Sequence, residues 1–260
     1  MIDPEDSLGG AAPARWSDGY FHPSSEDELI ALVRLARREG RSLRVRGSGH
    51  SIAAAIDSDG RARAARPGQP SSRDVDIVLD RYTRVDIDVP GRRVTVQAGC
   101  RLGEDPRDPS GLATFDSSLV AQLDRAGLAL PDLGGVTHQT VAGFLMTGSC
   151  GGTVRYSNED SLLAFRFVDG EGRVHEVTRD RGDLFDAFGC SMGLLGVLST
   201  VTFACIPRYD ILGREDISPE DAAPMDLFGG GPRGLGAFLR DTDYARLMWW
   251  PQAGVERVTT

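Results

Sequence analysis

From Ser24 onward the apolar positions keep a helical rhythm. Leu29, Ile30, Leu32, Val33 and Ala36 recur at three- and four-residue spacing behind a serine start and an acidic first turn, with Gly40 as the stop. The pattern predicts an amphipathic helix over SSEDELIALVRLARREG and then, at once, a strand at LRVR (Leu43 to Arg46). That strand runs into a glycine turn, GSGHS, and on to SIAAAIDSDG, where no long amphipathic helix is legible. The order is therefore not the GxGxxG strand, turn and helix of a Rossmann unit.

Further along, the period changes to two. Short β-branched runs predict strands at VDIVL (75–79), VDIDV (85–89) and RVTVQAG (93–99), the last two joined by a PGR turn, in a region rich in hairpins. Residues 57–74, polar and rich in Gly, Pro and Arg, read as a surface insertion. A second polar stretch, 104–116, precedes SSLVAQLDRAGL, a helix with Leu119, Val120 and Leu123 on one face and Gly127 at its end.

Residues 128–157 (LALPDLGGVTHQTVAGFLMTGSCGGTVRYS) read as too interrupted for a helix and too poor in side chain to pack a core alone. Such stretches let a ligand meet backbone. After them come a hairpin (LLAFRFVDGEGRVHEVT), a short helix (DLFDAFG) and a closing strand (GVLSTVTFACIP). These patterns predict an α+β domain over 1–207. Residues 208–260 read as a linker followed by one hairpin, YARLMWWPQAGVERVTT, which cannot bury its own face. The expectation is that the natural protein continues or that another chain completes it. No fixed-period repeat or heptad run is visible.

Composition narrows the chemistry. The chain has 260 residues, 40% of them apolar and 26% charged, the profile of a globular protein with a sizeable core. All 29 basic residues are Arg. A coding bias is the simple explanation, but the absence of Lys excludes a Schiff-base aldolase, a pyridoxal-phosphate enzyme and a Walker-type phosphate loop. A net charge of −9 without a basic stripe argues against nucleic acid as a partner. No run approaches the ~20 apolar residues of a membrane span, and the acidic start, MIDPEDSLGG, has no basic n-region, so a cytoplasmic location is expected. Cys100, Cys150, Cys190 and Cys205 lack CxxC spacing and are expected as thiols, with Cys100, Cys190 and Cys205 in the core. The four histidines lack metal-ligand spacing, which argues against a structural zinc, and His22 and His175 read as surface residues.

Three glycine-rich segments stand in a set order: VRGSGHS (45–51), GGVTHQTVAGFLMTGSCGG (134–152) and GCSMGLLGVLSTVTFACIP (189–207). Consecutive backbone N–H groups in such turns form an anion-binding nest that needs no Lys. In this order the segments resemble the FAD-binding PCMH-type domain of the vanillyl-alcohol oxidase superfamily, nearest to its aldonolactone and alditol oxidase branch. The likeness covers roughly residues 16–207. It implies a two-subdomain flavin domain followed by the start of a cap (substrate) domain, with FAD as cofactor.

Carried over residue by residue, the resemblance implies that Arg46, Gly47, Ser48, Gly49, His50 and Ser51 cradle the pyrophosphate. It sets Gly134, Gly135, Thr140, Gly143, Thr147, Gly148, Ser149 and Cys150 against the isoalloxazine, and Gly196 and Val197 at the adenine end. His50 stands where covalent members of the family bond the 8α-methyl carbon of the flavin; it can also line the flavin without a bond or merely cap the turn. His138 either works near the flavin or orders its loop. Gly134 stands where related lactone enzymes gate dioxygen, and a positive φ angle is the competing reason for a glycine there.

The likeness implies oxidation of a CH–OH donor, a sugar lactone, polyol or similar alcohol, by hydride transfer to FAD, with dioxygen as the expected acceptor. Catalytic groups would come from the cap, so none is named, Trp249 and Trp250 included. Two departures fall beside the flavin: Thr147-Gly148-Ser149-Cys150-Gly151 replaces the common Thr-Gly-Thr-His-Gly, and Gly135 replaces a frequent Ser. Cys150 is not where bicovalent relatives carry their cysteine. An electron-transfer flavin subunit, a dehydrogenase using another acceptor and a catalytically incomplete flavin-binding remnant remain as alternatives, and the GHSI of the first loop also looks like that of cytokinin dehydrogenase.

Overall fold

The computed structural model describes residues 12–64, 72–108, 110–252 and 257–259. Helix α1 (Glu26–Arg38) begins where Ser25 accepts the N–H of Glu28, and carries Glu26, Asp27 and Glu28 in its first turn and Arg37 and Arg38 in its last. Both ends thus complement the helix dipole. Its buried face is Leu29, Ile30, Leu32, Val33 and Ala36, the five expected residues. Gly40 ends it in the left-handed region at φ +58.

Strand β1 (Leu43–Arg46), the short helices α2 (Ala53–Ile56) and α3 (Asp59–Ala64), and β2 (Val75–Val78) follow. Here one expectation is corrected. Residues 75–78 do not join the hairpin region; β2 pairs parallel with β1 in a separate two-stranded sheet, Val45 opposite Ile77. Crossover through α2 and α3 is what a parallel pair requires. The flanks of the expected 57–74 insertion are ordered by Asp76, which is fully buried and accepts from the N–H and Oγ of Ser58. Residues 65–71 lie outside the described residues.

The main sheet has five antiparallel strands in the order β3 (Val85–Asp88), β4 (Arg93–Gln97), β8 (Val197–Ala204), β6 (Leu162–Val168) and β7 (Val174–Thr178). Between β4 and β6 the chain forms α4 (Leu119–Arg125), β5 (Leu128–Ala129), α5 (Val141–Met146) and α6 (Asn158–Ser161); α7 (Asp183–Phe188) lies between β7 and β8. Helix α4 buries Leu119, Ala121 and Leu123, while Val120 is only half-buried. Helix α5 corrects the reading of 128–157 as too interrupted: Thr140 caps it through a hydrogen bond from the N–H of Gly143, and Val141, Phe144, Leu145 and Met146 are buried. Its Gly143 is tolerated because four large apolar side chains repay the helix. One apolar core joins α1, both sheets, α4 and α5.

After β9 (Ile206–Pro207), which pairs with β5, the chain forms β10 (Ile217–Pro219), α8 (Leu235–Asp241), β11 (Met248–Trp250) and β12 (Arg257–Thr259). The expected strand pair β11–β12 is present, and β10 extends it to three strands. Residues 253–256 lie outside the described residues. Ala223 and Met225 are buried beneath this sheet in a small second core with Leu227, Leu235, Phe238 and Leu247.

Two side-chain expectations are also corrected. His22 is buried, not superficial: its Nδ1 lies 2.8 Å from Asp80, its Nε2 3.0 Å from Asp18, and its ring stacks on Trp16. Carboxylates from two elements satisfy both ring nitrogens, which makes the burial affordable. Cys190 is exposed rather than core, because it sits in a left-handed turn at φ +57. His175 is half-buried, stacked on Phe167 and held by Asp169 at 2.8 Å. All four cysteines are free thiols.

Candidate functional site

Three loops meet at one cavity of about 380 Å3, within the range of small-molecule sites. The end of β1 supplies residues 44–51, the first turn and far end of α5 supply Gln139, Thr140, Gly143, Met146 and Thr147, and the turn before β8 supplies Met192 to Leu194 and Gly196 to Leu198. Of the residues singled out in the sequence, Arg46, Gly47, Ser48, Gly49, His50, Ser51, Thr140, Gly143, Thr147, Gly196 and Val197 line it. The other five, Gly134, Gly135, Gly148, Ser149 and Cys150, lie off its wall.

Ser149 still reaches the lining indirectly. Its Oγ accepts from Gln139 at 2.9 Å and lies 3.2 Å from the Oγ1 of Thr147. Gly134 is buried behind this network; a Cβ there would stand 3.3 Å from Gln139 and 3.5 Å from Ser149. Its φ is not in the left-handed region, so that explanation for the glycine does not apply.

The first loop is built for close approach. A Cβ on Gly47 would lie 2.7 Å from the Oγ1 of Thr140, and Gly49 adopts φ +79. The hydroxyl of Ser48 donates to the carbonyl of His138, tying the first loop to the second. Among the described residues, none accepts the backbone N–H of Ser48, Gly49, His50 or Ser51. Among the described residues, the charged ones on the wall are Arg44 and Arg46, and no carboxylate lines it. Arg46 is steadied by a 2.8 Å bond to the hydroxyl of Tyr20, which donates in turn to Asp57. A row of open N–H donors beside two guanidinium groups suits an anionic, phosphate-bearing ligand. Apolar Leu43, Val45, Ala54 to Ile56, Met146 and Leu198 form the rest of the wall and suit flat ring systems.

His50 is exposed at the rim, its ring centroid 4.2 Å from that of His138. Arg107 stands 3.4 Å from the Nε2 of His138 and is fixed through its own N–H to Asp105. Loss of water contact, then the neighbouring His138 and Arg107, push the pKa of His50 below the usual histidine value, with Asp105 opposing.

Sequence reasoning missed the apolar wall. Met192 and Leu194, 63% and 89% exposed, lean over the cavity from a turn in which Cys190, Met192 and Gly193 are all left-handed. The only signal was the run of apolar residues among the single glycines Gly189, Gly193 and Gly196. Nor does any local signal place Arg107 beside His138, 31 residues away.

A sheet-and-helix domain with a glycine-lined, carboxylate-free cavity and apolar walls is a nucleotide-cofactor domain of the flavoprotein kind. The family model for an FAD binding domain matches residues 17–104 and 113–178, more than half of the chain, and the chain belongs to that family. FAD is its cofactor, and the residues fit it: the N–H row and arginines for the pyrophosphate, the apolar wall for the rings.

The chain is 27% identical over 237 residues to the L-gulonolactone oxidase of Mus musculus, covering 90% of this chain and 46% of that protein. It is 30% identical over 205 residues to the D-arabinono-1,4-lactone oxidase of Eremothecium gossypii, covering 76% of this chain and 33% of the relative. The L-gulono-1,4-lactone dehydrogenase of Mycobacterium tuberculosis is 30% identical over 191 residues, covering 73% and 38%. The chain thus spans less than half the length of these curated relatives. Among solved structures, an alkyldihydroxyacetonephosphate synthase superposes with a TM-score of 0.55 at 21% identity over 76% of this chain and 33% of its own, a likeness of fold. No helix of the described residues is long and apolar enough to cross a membrane.

Proposed function

We propose that this chain is the flavin-holding part of an FAD-dependent oxidoreductase that oxidises a CH–OH donor of the sugar-lactone or polyol class, with dioxygen as acceptor and the flavin bonded to His50. The observation that carries the reading is the row of unused N–H groups at Ser48 to Ser51 beside Arg46, with His50 at the open rim of the same cavity. Lactones head the donor list because the relatives are named lactone oxidases and a lactone dehydrogenase.

Bound FAD supplies the two-electron acceptor for the substrate hydride. The residues of this chain do the rest of the holding. The N–H row and Arg46 take the pyrophosphate, Thr140 fixes the start of α5 against Gly47, and Met192 and Leu194 shield the ring systems from water. The sixteen residues named from the sequence form the proposed cofactor site, the five off the cavity wall as its outer layer. Groups that bind the donor and take its proton belong to a cap or partner chain packing on residues 208–260.

The test is anaerobic mixing of the FAD-loaded protein with L-gulono-1,4-lactone, D-arabinono-1,4-lactone and a linear polyol. With the proposed cap or partner chain in place on residues 208–260, bleaching of the flavin by one of them supports the reading, and no bleaching by any, with flavin bound, refutes it. Reoxidation by air then separates two acceptors: return of the yellow colour within milliseconds favours an oxidase, and return over seconds favours a dehydrogenase. Acid precipitation decides the His50 bond, since a flavin left wholly in the supernatant refutes it.

A further inference from the structure

His50 does not face the cavity rim alone. The ring of His138 lies against it at 4.2 Å and 49°, and the far nitrogen of His138, Nε2, is 3.4 Å from the guanidinium of Arg107. Arg107 is itself held: its N–H donates to Asp105, which pairs with Arg101 at 3.0 Å, and Asp105 and Arg101 are 5% and 10% exposed. The hydroxyl of Ser48, two residues before His50, donates to the carbonyl of His138. The main chain that carries the stack is thus anchored at Arg107 by Asp105 and at His138 by Ser48.

We propose that Arg107 and His138 are positioning residues for flavin attachment, a guanidinium and an imidazole aligned so that the ring of His50 stays unprotonated and nucleophilic. The proposal rests on the reading that His50 bonds the flavin. Attachment breaks one C–H bond of the 8α-methyl group and the N–H bond of His50 and forms one C–N bond. The two protons and two electrons released reduce dioxygen, the acceptor named above, to hydrogen peroxide. Only neutral imidazole has the lone pair for the new bond. Loss of water contact opposes protonation of His50 most, His138 and Arg107 add to it, and Asp105 favours protonation; Arg44 and Arg46 on the cavity wall add positive charge.

Reconstitution of the apoprotein with FAD across pH 5 to 8 tests this, reading the fraction of flavin that stays with acid-precipitated protein over time. In the native protein attachment persists into acid. In Arg107→Gln and His138→Gln the midpoint of the rate profile moves up towards the ordinary histidine value of about 6.5. Their rates fall several-fold at pH 5.5 and stay within about twofold of native at pH 8. A loss by the same factor at every pH, or no loss at all, overturns the proposal, because a merely structural role has no reason to follow pH.

A second measurement does not need attachment. In the apoprotein, the NMR titration of the His50 ring moves to higher pH in His138→Gln, and an unmoved titration overturns the proposal. If the native protein yields no acid-stable flavin, the His50 bond itself is refuted and the attachment role falls with it. The titration then distinguishes that failure from an error about the stack.

Discussion

Gly47 and Thr140 meet so closely that a Cβ on the glycine would stand 2.7 Å from the threonine hydroxyl, the same oxygen that caps α5. The first cofactor loop and the second are thus packed through one atom. Gly47→Ala is expected to cost about 1–3 kcal/mol of stability by overpacking and to weaken FAD binding. Thr140→Ala costs about 1 kcal/mol as a lost cap. The double variant is less destabilised than the sum, because removing the hydroxyl makes room for the methyl. Gly213→Ala, with nothing within 4 Å and an ordinary φ, is the neutral control. Urea melts and FAD fluorescence titration measure all four, and strict additivity refutes the contact.

Gly196 precedes the central strand β8 at φ +149, and a Cβ there would lie 2.4 Å from the carbonyl of Val168. Backbone cannot rotate away as a side chain can. Gly196→Ala is expected to cost about 2–4 kcal/mol, more than Gly47→Ala, and to lower the thermal midpoint accordingly. A variant as stable as the native chain contradicts the strand geometry at this cavity edge.

Glu26, in the first turn of α1, receives Arg166 at 2.8 Å and the hydroxyl of Ser199 at 2.7 Å, and so ties the helix to β6 and β8. Burial raises its pKa, but the bonds from Arg166 and Ser199 win and hold it below the usual glutamate range. Its contribution is therefore present above the unfolded value of about 4.3 and fades as pH falls through the folded value. Arg166 is 39% exposed, so solvent screens its part, and Glu26→Gln should cost only about 1–2 kcal/mol at pH 7. Urea melts at pH 7, 5, 4 and 3 should show the gap between native and variant closing with acid. A gap that widens refutes the assignment.

Cys150 and Cys190 are exposed, whereas burial pushes the Cys100 thiol up to about 12 and Cys205 up to about 11. Only thiolates react. Alkylation of the native protein followed by peptide mass spectrometry should find Cys150 and Cys190 modified and Cys100 and Cys205 untouched until urea unfolds the chain. Rapid labelling of Cys100 contradicts its burial.

Gly134→Ala tests the proposed dioxygen path. The new methyl needs a shift of a few tenths of an ångström at Gln139 and makes ordinary contact with Ser149, so stability should change by less than about 1 kcal/mol, while reoxidation of the reduced flavin by air slows at least about tenfold. Unchanged reoxidation removes Gly134 from the path.

The local chemistry of this chain was legible in its residues. A capped amphipathic stretch is helical wherever it packs, so the buried face of α1 follows from spacing alone. Alternating β-branched runs likewise make β3, β4 and the β6–β7 hairpin, because neighbouring strands with short turns find each other first. The three glycine segments, by resemblance, pointed to FAD before any geometry, since backbone donors depend on nearby glycines and not on distant partners. Where sequence reading failed, the deciding contact came from afar. Helix α5 forms across Gly143 because its apolar face is buried, and β2 leaves the hairpin region because β1 offers a parallel partner 32 residues earlier. His22 is buried because Asp18 and Asp80 close on it together. The stack of Arg107, His138 and His50 belongs to the same class. Each residue is ordinary in its own segment, and only packing the segments together brings a guanidinium and two imidazole rings into line. Spacing along a chain sets conformation over a few residues, whereas a site depends on distances that exist only after the core has closed.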